Sequence, residues 1–177
     1  MNGGAYLSSQ DSALLRRALR CYKGRMCLEI GAGNCGTLAE LAERFWLAVG
    51  TDLVLPSAGA GRGEFVLADG ASCFRDSSFD LVAFNPPYLE SEELVDRAVD
   101  GGRGGVEVPL HFMREALRVV KKRGGRVVML LPTAAPVEPF EAECRRAGAR
   151  LRRVQSERLF FEELSVFEAF LGECATQ

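Results

Sequence analysis

Histidine is almost missing from this sequence: His111 stands alone, and the six cysteines, Cys21, Cys27, Cys35, Cys73, Cys144 and Cys174, contain no C-x-x-C pair. Tetrahedral zinc draws its ligands from such residues, so no metal centre is expected. An excess of one charge is missing too. Lys and Arg number 22 against 24 Asp and Glu, a net charge of −2, so no general field draws the molecule onto a phosphate backbone. No apolar run suits a membrane span, no signal-peptide pattern opens the chain, and there is no internal repeat or low-complexity tract. Several cysteines lie inside apolar runs such as Met26-Cys27-Leu28-Glu29-Ile30, which reads as reduced, mostly buried thiols in a cytoplasmic protein.

What is present is a globular composition, 47% hydrophobic and 26% charged over 177 residues, the size of one domain spanning 1–177. Apolar runs alternate with helix-like segments up to about residue 135, the pattern of an α/β protein with a mostly parallel sheet. Core strands are expected at Met26–Ile30, Leu47–Asp52, Glu64–Asp69, Phe79–Asn85 and Arg126–Leu131. Helices are expected at Thr37–Phe45, Val108–Lys122 and Glu138–Ala147, preceded by a first helix that Asp11 or Ser12 caps. Beyond Gly148 the runs Ala149–Glu157 and Glu163–Phe170 are too close for a crossover helix, so an antiparallel edge hairpin completes a seven-stranded sheet with helices on both faces. Asp100-Gly101-Gly102-Arg103-Gly104-Gly105 is the most loop-like stretch and is expected to form a mobile lid.

The first chemical constellation is Leu28-Glu29-Ile30-Gly31-Ala32-Gly33-Asn34-Cys35-Gly36, between the first strand and a helix. Ligands of open α/β sheets bind at such strand ends. Gly31 and Gly33 let backbone approach a cofactor, Gly36 allows close helix-to-strand contact, and Glu29 is placed to hold a cationic or hydroxyl-bearing group. A G-x-G-x-x-G spacing by itself also serves merely to make the turn. Asp52, 23 residues after Glu29, ends the second strand ahead of Leu53, where a carboxylate accepts both hydroxyls of a ribose. Asp69-Gly70 ends the third strand and suits an adenine edge, or an ordinary cap. Glycines, Asp and Asp on three successive strand ends together indicate a nucleoside cofactor.

The second constellation is Phe79-Asp80-Leu81-Val82-Ala83-Phe84-Asn85-Pro86-Pro87-Tyr88. Two prolines fix φ and remove two donors, so the turn is stiff and rich in acceptors. The Asn85 side-chain oxygen and the Pro86 carbonyl can grip both hydrogens of a planar NH₂, while the Tyr88 ring covers its face. Orientation, not a strong base, then supplies the rate.

The glycine loop, Asp52, Asp69 and Asn85-Pro86-Pro87-Tyr88 resemble class I S-adenosylmethionine-dependent methyltransferases of the amino-methylating branch, over nearly the whole chain. Tyr6, Gln10-Asp11-Ser12 and Gly101-Gly102-Arg103-Gly104-Gly105 further resemble the compact HemK-like enzymes of archaea and eukaryotes. The resemblance implies S-adenosyl-L-methionine as cofactor and methylation of the glutamine in the Gly-Gly-Gln motif of a class I release factor. It places Asp11, Ser12, Glu29, Gly31, Gly33, Asn34, Asp52, Leu53, Asp69, Gly70 and Asn85 at the cofactor, and Asn85, Pro86, Pro87 and Tyr88 at the substrate. In eukaryotic members a small zinc-bearing activator subunit covers an apolar edge of the sheet, so a similar partner is implied here. Ser8-Ser9-Gln10 stand where relatives carry a Pro and a Glu, and nothing ahead of Tyr6 matches the helical domain with which bacterial HemK enzymes hold the release factor.

Two other functions fit parts of the pattern. Asn-Pro-Pro-Tyr serves a flipped base's amino group as well as an amide, and Arg118, Lys121, Lys122, Arg123 and Arg126, with Arg145, Arg146, Arg150, Arg152 and Arg153, form two basic clusters. The size and the net charge favour protein over nucleic acid, and solvated helix ends explain the clusters. A non-catalytic methyltransferase-like subunit is the other reading, disfavoured because both loops are intact. Phe160, Phe161, Phe167 and Phe170 are expected mainly in the core, with an exposed patch as the alternative.

Overall fold

A computed structural model describes residues 3–57, 59–90, 100–158 and 162–172, with only the backbone of residues 3–10. The elements run α1 (Gly3–Leu19), β1 (Gly24–Ile30), α2 (Gly36–Leu41), β2 (Phe45–Asp52), β3 (Glu64–Leu67), β4 (Leu81–Phe84), β5 (Leu89–Glu90), β6 (Asp100–Gly102), α3 (Glu107–Val119), β7 (Arg126–Pro132), α4 (Glu138–Arg146), β8 (Ala149–Arg158) and β9 (Glu163–Leu171). The main sheet has seven strands in the order β3-β2-β1-β4-β7-β9-β8. The first five are parallel, and β9 is antiparallel to both β7 and β8. This is the expected sheet with its C-terminal hairpin.

The central strands are mostly apolar because both faces are covered: β4 is buried at every position and β7 at all but its two ends. Along β1, Leu28 and Ile30 enter the core beneath α3 and α4, while Cys27 enters a second core with Leu14, Leu15 and Leu19 of α1 and Leu38 and Leu41 of α2. Phe79, Phe84, Met113 and Phe140 fill the α3/α4 side and are almost fully buried. No helix among the described residues is long and apolar enough to cross a membrane. Cys27, Cys35 and Cys144 are buried free thiols; Cys21 and Cys73 are exposed free thiols, and Cys174 lies outside the described residues.

Several expectations need correction. Asp11 and Ser12 do not cap a helix; α1 begins at Gly3 and both lie within it. The second helix stops at Leu41, since Phe45 pairs with Gly24 and is drawn into β2. β3 ends at Leu67, leaving Asp69 two residues past its strand, although Ala68 N–H still bonds the Asp52 carbonyl. Gly36 is not the tight helix-to-strand contact: a Cβ there would meet Asn34 and Arg16, whereas one on Gly50 of β2 would press to 2.7 Å from Leu38. The expected lid is instead built structure. Asp100–Gly102 pairs with Leu89–Glu90 in a small parallel sheet, Arg103–Gly105 forms a 3₁₀ turn, and Gly101, Gly102 and Gly105 are buried.

The basic clusters are largely absorbed by ion pairs. Arg118 bonds Glu115, Asp76 and two main-chain carbonyls, Lys121 pairs with Asp80, Arg145 with Glu141 and Arg146 with Glu143. The buried Glu168 carboxylate takes Arg126, Arg152 and the Tyr22 hydroxyl. Phe167 and Phe170 pack in the core, Phe170 beneath the Arg126 and Arg152 guanidiniums; Phe160 and Phe161 lie outside the described residues.

Candidate active site

From β1 the sheet grows one way through β2 to β3 and the other way through β4, so β1 and β4 flank the point where strand order reverses. Ligands of open α/β sheets sit outside the carboxyl ends of strands there. Ile30 pairs with Phe84, so Gly31 and Asn85 are each one residue beyond a paired position, on adjacent strands. The register thus brings together the two motifs that the sequence keeps more than fifty residues apart.

Gly31 (φ 73°) and Gly33 (φ 50°) hold left-handed conformations, and their loop is tied to β2 by the Gly31 and Ala32 amides, which donate to the Thr51 carbonyl at 2.8 and 2.9 Å. Nothing lies within 4 Å of a Cβ built on Gly33, so the loop's outer surface is open for close approach. The Gly33 N–H donates to Asp52 Oδ2 at 2.9 Å, and Val54 N–H to Oδ1 at 3.2 Å. Asp52 is therefore oriented from both sides beside the loop, and each oxygen keeps acceptor capacity. Leu53 follows it and is exposed. The Asn34 side chain turns back to accept from Gly36 N–H at 3.1 Å, a local turn at the start of α2.

Glu29 is 5% exposed and one oxygen, Oε2, has no hydrogen-bond partner. Burial pushes its carboxyl up to about 8, against the Thr37 hydroxyl and Leu38 amide, which favour the charged form. Asp69 is exposed, with His111 Nε2 at 3.6 Å from its carboxylate, and Gly70 (φ 54°) is buried against His111 and Glu115. Ser12 is half-buried on α1.

In the second motif Pro86 is buried, and Asn85, Pro87 and Tyr88 are half-buried. Asn85 Oδ1 is itself buried and has no partner, an unmet acceptor of the kind that folded proteins seldom leave. The Tyr88 ring packs against the α1-side core, and its hydroxyl donates to Asp11 Oδ2 at 2.7 Å, with Glu162 Oε1 at 3.3 Å. Asp11 is 4% exposed, its Oδ1 unpartnered. Burial raises its carboxyl above the ordinary range, the Tyr88 bond opposes this, and the Glu162 charge reinforces it. Burial and the Asp11 bond likewise push the Tyr88 phenol up.

Sequence reasoning missed Phe112, His111 and Glu162. Phe112 stands edge-to-face on Phe84 at 5.9 Å between ring centres and would meet a Cβ on Gly31 at 3.3 Å, so it walls the glycine loop from the α3 side. The apolar spacing of α3 gave only a buried face; no motif marked Phe112 or His111. Glu162 reaches the site only because β9 runs antiparallel beside β7, a long-range pairing that has no local signal.

Strand order, the glycine loop and the Asn-Pro-Pro-Tyr turn together define a Rossmann-like class I methyltransferase fold. The particular likeness is narrower. The chain is 27% identical, over 93% of its length and 91% of the relative's, to a Methanocaldococcus jannaschii protein provisionally named a protein N5-glutamine methyltransferase. Its fold matches the E. cuniculi Mtq2-Trm112 complex, which methylates the translation termination factor eRF1, with a TM-score of 0.78 and 25% identity over 92% of this chain and 96% of that one. Magnesium protoporphyrin IX methyltransferase of Synechocystis, solved with bound S-adenosylmethionine, shares the fold at TM-score 0.62 and 15% identity, over 93% of this chain and 79% of that one. No family model matches the chain.

Proposed function

We propose that this chain is an S-adenosylmethionine-dependent protein methyltransferase that modifies the N5 amide nitrogen of a glutamine in a translation release factor, the Gly-Gly-Gln glutamine of the class I factors. The observation that carries the reading is Asn85 Oδ1, buried and unmatched one residue past β4 and beside the glycine loop. A planar NH₂ supplies the donor that this acceptor lacks. Asn85 and the Pro86 carbonyl orient the amide, and the prolines keep the turn from relaxing. The relative from M. jannaschii and the Mtq2 complex support an amide of protein over other NH₂ groups.

The cofactor fits the residues present. Open space over Gly33, the oriented carboxylate of Asp52 and the exposed Asp69 beside buried Gly70 suit main chain, ribose hydroxyls and an adenine edge in turn. Bound there, S-adenosylmethionine supplies an electrophilic methyl group on sulfur. Glu29, with one unmet oxygen, lies beneath the same loop.

A small activator subunit belongs to the proposal, zinc-bearing as in the eukaryotic enzymes that the sequence resembles; Mtq2 was solved as a complex with Trm112. Here β3 ends the sheet, and Leu67 on it and Leu53, Val54 and Leu55 beyond β2 are exposed, an apolar edge of the sort a subunit covers. A nucleic-acid substrate is disfavoured because the basic clusters are mostly neutralised internally. The deciding experiment offers labelled S-adenosylmethionine with recombinant release factor, total RNA or DNA, with and without a candidate activator. Label in the release factor is expected; label confined to nucleic acid contradicts the substrate.

A further inference from the structure

Asn85-Pro86-Pro87-Tyr88 is stiff up to Pro87 and free after it. Proline rings fix φ at Pro86 and Pro87, and a residue before proline is held extended, which covers Asn85 and Pro86. Nothing local fixes Tyr88, so where the turn leads depends on tertiary contacts. The structure supplies two, from opposite sides. On one side the Tyr88 hydroxyl reaches Asp11 at 2.7 Å, from a helix that precedes the whole sheet. On the other, a Cβ on Gly101 would fall 2.7 Å from the Tyr88 Cα, and one on Gly105 (φ 65°) would fall 2.3 Å from the Tyr88 carbonyl oxygen. Only glycines allow the Gly101–Gly105 segment to press on the tyrosine's main chain so closely.

We propose that Asp11 is a positioning residue that acts through Tyr88, the two forming a latch that holds the acceptor turn between α1 and the Gly101–Gly105 buttress. This rests on the proposed reading of the turn as the amide-binding element. The phenol has one proton and faces two carboxylates; the shorter contact assigns it to Asp11, and Glu162, just ahead of β9, stands at 3.3 Å as the competing acceptor. Keeping a carboxyl 4% exposed is costly unless it is paired, and the Tyr88 hydroxyl pairs its Oδ2. The sequence resemblance places Asp11 at the cofactor; its Oδ2 meets the Tyr88 hydroxyl of the turn, and its buried Oδ1 has no partner.

The test compares Asp11→Ala, Asp11→Asn, Tyr88→Phe and the Asp11→Ala/Tyr88→Phe pair by urea unfolding without ligands, by kcat and KM for a release factor, and by calorimetric affinity for S-adenosylmethionine. The latch predicts coupled, non-additive unfolding for the pair. It also predicts that Asp11→Ala and Tyr88→Phe each lower kcat about tenfold or more, with the double variant no worse than either. Asp11→Asn, which keeps an acceptor for the hydroxyl, recovers most of the loss. Additive effects overturn the latch, as does a loss of cofactor affinity in Asp11→Ala that Tyr88→Phe does not share, which would make Asp11 a direct ligand. Should Asp11→Ala fail to fold, Asp11→Asn against Tyr88→Phe still decides: equal losses in the two contradict an acceptor role. Coupled unfolding in a chain that transfers no methyl to a release factor leaves the latch standing and contradicts the substrate instead.

Discussion

Under the proposed function Asn85 and Asp52 divide the work of the site, and their variants separate it. Asn85→Ala removes an acceptor needed for orientation, so turnover should fall by orders of magnitude with cofactor affinity nearly unchanged; near-normal kcat would remove Asn85 from the chemistry. Asp52→Ala should weaken cofactor binding by about 1–3 kcal/mol, since a charged acceptor beside the glycine loop is lost, and calorimetry reads this directly. Glu29 makes a pH-dependent prediction. Its carboxyl is pushed from an ordinary 4.5 up to about 8, so the folded chain keeps a proton that the unfolded chain releases. That contribution to stability is complete below about pH 4.5 and is lost as pH rises through about 8. Glu29→Gln cannot ionise, so its urea midpoint without ligand should exceed the parent's by a margin that grows from about pH 5 to about pH 8; a flat or shrinking margin contradicts a neutral buried Glu29. Residues of this kind were legible where type and place coincide on a strand end, as for Gly31, Asp52 and Asn85. Phe112 and Glu162 were not, because packing across helices and an antiparallel return brought them in.

Between α1, the glycine loop and the small β5–β6 sheet, the site is assembled from elements of very different legibility. The strands of the main sheet declared themselves through continuous apolar runs, and the C-terminal hairpin through a connection too short for a helix. The Gly101–Gly105 segment misled because glycine-rich sequence signals a free loop, whereas here the missing side chains let backbone meet backbone at Tyr88. Gly105→Ala must therefore displace Tyr88 or abandon its φ of 65°. It should cost about 1 kcal/mol or more in unfolding free energy and lower turnover more than cofactor affinity. Unchanged kcat would show that the segment does not support the turn. The capping expectation for Asp11 failed for a related reason: Ser and Asp suit helix ends, but the buried Tyr88 hydroxyl gives Asp11 a use inside the helix.

As a whole molecule the protein carries nearly balanced charge and, among the described residues, an exposed apolar edge at β3. In the two basic clusters Arg118, Lys121, Arg126, Arg145, Arg146 and Arg152 face acidic neighbours, which weakens the local field for a nucleic-acid backbone and agrees with a protein substrate. If the β3 edge receives an activator, Leu67→Asp should abolish complex formation in size-exclusion chromatography while leaving Asn85 and the glycine loop in place; an unaffected complex would put the partner elsewhere. The most direct test of the account is peptide mass spectrometry of a release factor incubated with the protein, its activator and S-adenosylmethionine. One added methyl group on the amide nitrogen of the Gly-Gly-Gln glutamine, absent with Asn85→Ala, is the predicted result. A release factor left unmodified while RNA or DNA gains the methyl group would contradict it.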